Sequence, residues 1–335
     1  MTTSPSKPSD DSTTQSTSLL PAKSSGAKIS LPMTLLGDIH TSDLTEPCLR
    51  KVLLRHQQKA EPVAPTALFR GILIGKWLEH IHEKDEIPTD ISATIWDDLV
   101  KELEAEGRQP SESVETNRAT IEGDVLLICQ RYMARMMPLF RQCEYIGTEL
   151  PCRTEIDGIK FASHVDLLLR DTGNVLGYGK GRLLVIDWKY RAEVPTKAYL
   201  SRNYQFAMYW LAMLEGSVMT YPAFNVWEEY GESAQLLWCH LPYLFPFKRK
   251  TTLKDDNGDP VVYLKGDERP VTSILRDVNF KREALQGIRR DIVERVQVMR
   301  AGYFPKAPEP VRCTVCDSRD FCTRGDTPEL LENKE

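Results

Sequence analysis

Leu183-Leu184-Val185-Ile186-Asp187-Trp188-Lys189 is a run of four aliphatic residues that ends abruptly in a carboxylate, an indole and an ammonium. A continuous apolar run of this length predicts a strand buried on both faces, as at the centre of a sheet. Positions two apart share a face of a strand, so Asp187 and Lys189 project together. Charged groups at the end of a buried strand are costly unless they pair or serve a site. An ordinary salt bridge is the bland alternative. Phe161 to Val165 is a similar run, and it ends in Asp166. Neighbouring strands lie ~4.8 Å apart, which places Asp166 and Asp187 to share one divalent cation.

Outward from this stretch the chain changes character twice. Upstream, the apolar periodicity predicts helices over Asp43 to Lys59, Thr66 to Lys84, Asp90 to Glu106 and about Glu115 to Phe140. Short segments rich in strand formers follow, over Glu144 to Leu150, Cys152 to Ile156, Lys160 to Arg170 and Leu183 to Tyr190. Asp157-Gly158 between two of them is a strong hairpin-turn signal. Pro195 opens a helix running to about Glu215, with proline near the first turn, where it is tolerated. Strands are expected over Ala223 to Glu229 and Ala234 to Pro242, then a hairpin with Asp255-Asp256-Asn257-Gly258 at its tip, then a helix from Asn279 to Ala301. The order implies an α/β fold, a mostly antiparallel sheet with helices and an N-terminal helical lobe. The expected divisions are a disordered tail over 1–28, a helical region over 29–142, a core over 143–300 and a Cys-rich segment with tail over 301–335.

Composition narrows the class without naming a function. The 335 residues are 41% hydrophobic and 27% charged, ordinary for a globular chain. No apolar run reaches the ~18–20 residues of a membrane span. Met1 to Lys28 lacks the apolar core of a secretory signal, so a cytoplasmic protein is expected. The net charge of −5 does not advertise a nucleic-acid binder. Binding depends on a local basic face, however, and Lys248-Arg249-Lys250, Lys281-Arg282 and Arg289-Arg290 are candidates. There is no Gly-rich phosphate loop, so any unwinding would need a partner.

The acidic pair points to phosphodiester chemistry. A hard, oxygen-ligated cation polarises a phosphate and acidifies a water. Asp166, Asp187 and the Trp188 backbone carbonyl would leave open positions for both, while Lys189 orients the water or stabilises developing charge. Gln205 and Tyr209, an i, i+4 pair on the helix that follows, lie on one helical face.

In this order, Asp166, Asp187-x-Lys189 and Gln205-x-x-x-Tyr209 resemble the RecB-like branch of the PD-(D/E)XK nuclease superfamily. The resemblance implies a restriction-endonuclease-like core, a mixed central sheet flanked by helices. It further implies Mg2+ or Mn2+ dependence, and DNA as substrate, as single strands or ends. Gln205 and Tyr209 would contact DNA or support Lys189. Such nucleases usually carry an early helical histidine after an Arg-Gly; aligned on Arg70-Gly71, that position is Gly75. Aligned on Gly75 it is Glu79, similar to members with a helical glutamate, and His80 is the alternative. His164 shares a strand face with Asp166 and is either second to the site or an ordinary sheet histidine.

Four of the eight cysteines, Cys129, Cys143, Cys152 and Cys239, sit singly in apolar or strand-like surroundings and read as core thiols. The others form a compact triplet, Cys313-x-x-Cys316-x5-Cys322, with Cys48 as the distant fourth. Zinc sites more often use two Cys-x-x-Cys pairs, and zinc or free thiols remain alternatives. One distant cysteine plus a triplet is similar to the [4Fe-4S] staple of the AddAB nuclease subunit and the CRISPR-associated RecB-like exonucleases. That resemblance implies a structural cluster tying the two ends of the chain together, and a helicase or other repair or CRISPR proteins as partners. An inactive DNA-binding subunit with the same fold is the competing expectation.

Overall fold

A six-stranded mixed sheet carries the fold. The structure is a computed structural model that describes residues 39–40, 44, 52, 63–64, 66–87, 91–105, 108–191, 194–214, 219–220, 224–225, 234–244, 247–254, 260–265 and 271–301. The elements that matter here are β1 (Ile39–His40), α1 (Thr66–Lys84), α2 (Ile91–Ala105), α3 (Arg118–Arg135), β2 (Glu144–Ile156), β3 (Ile159–Asp171), β4 (Arg182–Lys189), α4 (Tyr204–Leu214), β5 (Ala234–His240), β6 (Leu275–Val278) and α5 (Arg282–Arg300). β3 pairs antiparallel with β2 on one side. On its other side it pairs with β1 in parallel and with β4 antiparallel. β4 and β5 are parallel, joined through α4, and β6 closes the order antiparallel to β5.

The quoted apolar run is the central strand its composition implies. Leu184, Ile186 and Trp188 pack with residues of α1, α2 and α3 on one face. Leu183 and Val185 pack with Phe206, Tyr209 and Met213 of α4 on the other. A second cluster joins α4, α5 and the β1–β3 region through Met208, Leu211, Ile292 and Phe161. The helices upstream of the sheet thus share a core with it. At the Asp157-Gly158 turn Ile156 faces Ile159, and both turn residues have positive φ (50° and 74°), as a two-residue hairpin of this type requires.

Three expected elements come out differently, each for a local reason. The segment from about Glu115 to Phe140 is not one helix. It breaks into Glu112–Thr116, Arg118–Arg135 and Met137–Phe140, with Asn117 between the first two and Pro138, which has no N–H to give, in the last. The helix from Pro195 is also split, into Lys197–Leu200 and α4, because Asn203 Oδ1 accepts from Phe206 N at 3.2 Å and starts a new helix. The strands expected at Glu144 to Leu150 and Cys152 to Ile156 are one strand, β2, which runs through Pro151. β2 has only β3 as a ladder partner among the described residues, an edge position that tolerates proline. The later hairpin forms from Phe247–Lys254 and Pro260–Lys265, paired antiparallel. Its tip, most of the Asp43 to Lys59 segment and the Cys-rich segment lie outside the described residues. No helix among the described residues is long and apolar enough to cross a membrane.

Trp188 anchors the end of β4. Its Nε1–H donates to Tyr132 Oη at 3.2 Å, and Tyr132 Oη lies 2.8 Å from His82 Nε2. The His82 ring stacks on the Trp188 indole (centroids 5.7 Å apart, planes at 23°) and on Tyr145 (6.1 Å, 10°). Burial pushes the Tyr132 hydroxyl well up, so it keeps its proton. Burial pulls His82 down to about 4, against a smaller opposing pull from Asp85, so the ring is neutral, and its Nδ1–H tautomer leaves Nε2 to accept the Tyr132 proton. The chain Trp188→Tyr132→His82 therefore requires a neutral histidine. The unfolded chain takes up a proton near 6.5 and the folded chain only near 4, so this contribution to stability is whole above pH 6.5 and drains as pH falls toward 4. Chemical denaturation of wild type and His82→Phe between those limits should show wild type losing up to about 3 kcal/mol relative to the variant. Parallel pH profiles would contradict the neutral-histidine linkage.

Candidate active site

The sheet register sets acidic side chains in a row. Leu167 faces Ile186, so the next pair along β3 and β4 is Asp166 with Asp187. On the other side of β3, Thr148 faces Leu167 and Leu150 faces Val165, which puts Glu149 of β2 level with Asp166. Asp187 in turn is in register with Trp238 of β5. Glu149, Asp166 and Asp187 thus occupy neighbouring positions on three adjacent strands, with Lys189 two residues further along β4.

Hydrogen bonds fix this row from both sides. Trp188 N–H donates to Asp166 Oδ2 at 2.7 Å, so the aromatic anchor of β4 also holds the carboxylate of β3. Asp187 is fully buried, at 0% exposure. Its Oδ2 lies 2.6 Å from Lys189 Nζ in an ion pair. Its Oδ1 lies 3.2 Å from the Tyr209 hydroxyl, whose single proton it shares with the His164 carbonyl 2.7 Å away. Gln205 Nε2 donates to the same hydroxyl at 2.8 Å. The i, i+4 spacing on α4 therefore builds a relay, Gln205 to Tyr209 to the middle of β3 and the end of β4.

The electrostatics are strained in one direction. Burial, then the charge of Asp187, pushes the Asp166 carboxyl well above the usual carboxylate range. Burial also raises Asp187, against the pull of Lys189 and the Tyr209 hydrogen bond. Burial draws Lys189 down, but the charges of Asp187 and Asp166 outweigh it and hold the ammonium protonated. Tyr209 is pushed well up by burial and by the same two carboxylates, so it remains a donor.

Of the residues singled out in the sequence, Asp166, Asp187, Lys189, Gln205 and Tyr209 come together. His164 contributes its carbonyl, and its side chain is exposed. Glu79 lines a cleft between α1 and α2 together with Lys76, His80, Glu83, Asp98 and Glu102. Burial and Glu83 raise its carboxyl, and among the described residues no hydrogen bond links it to either aspartate. His80 lines the same cleft, and its buried Nε2 makes no hydrogen bond. Glu149 feels both groups: burial and then the Glu79 charge raise its carboxyl, and its own charge in turn raises Asp166. It was not among the expected residues. Its backbone has φ 48°, a left-handed conformation unusual for glutamate and strained within a strand. Just before it the ladder slips between Tyr145 and Gly147, where a Cβ would come within 2.8 Å of the Leu150 side chain.

A sequence profile of the PD-(D/E)XK nuclease superfamily matches residues 44–323. The chain belongs to the PD-(D/E)XK nuclease superfamily. A crystal structure from Eubacterium rectale, named a “putative exonuclease”, is similar over 85% of this chain and 87% of that one, at 12% identity and a TM-score of 0.41. A search of curated proteins returned no match.

PD-(D/E)XK nucleases generally use divalent metals such as Mg2+. Among the described residues no group of three or more His, Cys, Asp or Glu side chains is gathered to hold a metal ion. The donor set still fits one. Asp166 and Asp187 offer hard oxygen donors side by side, Asp187 fully buried and Asp166 half-buried, and Lys189 forms an ion pair with Asp187. A cation would relieve the cost that raises both carboxyls. The four single cysteines are buried free thiols, and burial raises all of them, Cys143 to about 11 and Cys152 to about 12. They are core residues, as their surroundings in the sequence imply. Cys48, Cys313, Cys316 and Cys322 lie outside the described residues.

The strain at the acidic row is measurable without any activity. Asp166→Asn keeps an acceptor for Trp188 N–H and removes the charge that burial and Asp187 penalise. In chelator at neutral pH it should raise stability by about 0.5–2 kcal/mol in urea denaturation. A loss of stability would mean that the Asp166 charge is already compensated.

Proposed function

We propose that this chain is a metal-dependent deoxyribonuclease that hydrolyses phosphodiester bonds, acting as an exonuclease on single strands or DNA ends. The observation that carries the reading is the facing pair Asp166 and Asp187, with Lys189 Nζ 2.6 Å from Asp187 Oδ2. Asp166, Asp187 and the Trp188 carbonyl would hold Mg2+ or Mn2+. When bound, such a cation polarises the phosphate and acidifies a water.

The side chains divide the remaining work. Lys189, 24% exposed at its side chain and held protonated, presents a fixed positive charge to a phosphate oxygen as negative charge develops there. It is not a general base, because it has no lone pair to offer in this state. Tyr209 and Gln205 are positioning residues that orient Asp187 through the phenol. Glu149 is the nearer candidate for a third carboxylate. Glu79, whose charge is felt at Glu149, and His80 in the same cleft are the alternatives. Cys48, Cys313, Cys316 and Cys322 would supply the four thiolates that a [4Fe-4S] cluster needs. We assign that cluster a structural role, with a helicase or other repair or CRISPR proteins as partners for unwinding.

Labelled single-stranded and duplex DNA, with Mg2+ or Mn2+, test the activity. Lys189→Ala should lower the cleavage rate by about 10^2–10^3-fold, as expected when a transition-state charge partner is removed. Asp187→Ala should abolish cleavage, and activity surviving both substitutions would sink the site assignment. The cluster has its own measurement: anaerobically purified protein should be brown with about four irons per chain. Stoichiometric zinc without iron would reject it.

A further inference from the structure

We propose that Tyr199 and Arg191 form a seat on which an unpaired base next to the scissile phosphate stacks, so that the site selects a single DNA strand. This rests on the nuclease reading for the identity of the phosphate, but the seat itself is built from residues that reading does not use.

Arg191 continues the face that carries the chemistry. Asp187 and Lys189 share a face at the end of β4, Arg191 follows two residues on, and the Arg191 charge is felt at both other groups. Its Nη1 donates to the Tyr199 hydroxyl at 2.9 Å. Tyr199 sits on the short helix Lys197–Leu200, where its N–H donates to Thr196 Oγ1 at 3.1 Å. The Tyr199 ring meets Trp238 edge-on, with centroids 6.2 Å apart. Trp238 is the residue in register with Asp187 on the neighbouring strand, so the Tyr199 ring stands one side chain away from the level of the catalytic row. The lead-in to this helix is also tied down, because Arg276 Nη1 donates to the Pro195 carbonyl at 3.1 Å.

Exposure separates Tyr199 from its neighbours. Leu200 and Trp238 are buried, whereas Tyr199 keeps 44% of its surface open. A large aromatic ring held by its hydroxyl, its backbone and a buried indole, yet open to solvent beside a phosphate-cleaving row, matches what base stacking requires. Charge favours the same approach. Arg191, Lys197 and Arg202 are exposed on this side. The α1–α2 side presents Glu79, Glu83, Asp98 and Glu102 against Lys76 and His80, with Lys76 paired to Glu102, so acidic groups predominate there. A polyanion is drawn over the first and repelled by the second. A duplex keeps its bases stacked inside and cannot use the ring.

Fluorescence anisotropy with a labelled single strand and the matching duplex, in Ca2+ to limit turnover, tests the seat. Tyr199→Leu keeps apolar packing on Trp238 but has no π-face; Tyr199→Trp restores one. The leucine variant should weaken single-strand binding by about 5- to 100-fold, the range of one stacked base. The tryptophan variant should recover most of it, and duplex binding should change little. A 2-aminopurine base placed next to the cleaved position should be quenched by wild type and not by Tyr199→Leu. Equal single-strand affinity of wild type and Tyr199→Leu, with matching thermal midpoints, would overturn the proposal. So would an equal loss on duplex, or tighter binding of the matching RNA. Hydrolysis of bis(p-nitrophenyl) phosphate by wild type, a diester without bases, reads the nuclease assignment separately. If that hydrolysis is absent while the leucine variant loses single-strand binding, the nuclease reading fails and the seat stands.

Discussion

Two carboxylates held side by side, partly out of water, with one ammonium against them, are the constraint around which the rest of this molecule is arranged. Asp166 and Asp187 face each other because β3 and β4 pair in that register. The register is set in turn by which residues of each strand are apolar on which face, since a slip of one residue would turn every side chain over. Left to themselves the aspartates would repel and rehydrate. The fold prevents this with groups that each serve two elements. Trp188 N–H holds Asp166 while the Trp188 indole is pinned to Tyr132 and His82. Tyr209 ties α4 to Asp187 and to the backbone of β3 at once.

Much of this was legible in the sequence, and the reasons are physical. Leu183 to Ile186 could only be a strand buried on both faces, and the two charges at its end had to be paired or functional. Asp166 followed by the same logic, and Gln205 with Tyr209 by helical spacing. Thr66–Lys84 has the bounds that its apolar pattern predicts. Helix breaks were harder to read, because Asn117 and Asn203 act through side-chain hydrogen bonds that periodicity does not carry.

Glu149 shows a different failure. Its position was in principle readable: it lies eight residues before Asp157 and Asp166 lies eight after Gly158, so a regular hairpin through that turn brings the two level. Splitting the strand at Pro151 hid that arithmetic, and proline at an edge strand did not in fact break the ladder. The left-handed backbone at Glu149 had no signal at all, since the residue is neither glycine nor asparagine. Glu79 was drawn from helical alignment alone, which fixes a face of α1 but not which wall of the molecule that face lines. The structure puts it in the α1–α2 cleft, where its charge is felt at Glu149.

The central claim is that the paired aspartates exist to bind a divalent cation. Calorimetric titration of metal-free protein with Mn2+, comparing wild type with Asp187→Asn, tests it without relying on substrate or turnover. The account predicts saturable binding to wild type that is lost in the variant, with the variant at least as stable as wild type in chelator. Equal Mn2+ affinity in the two proteins, or no binding by wild type, would contradict it.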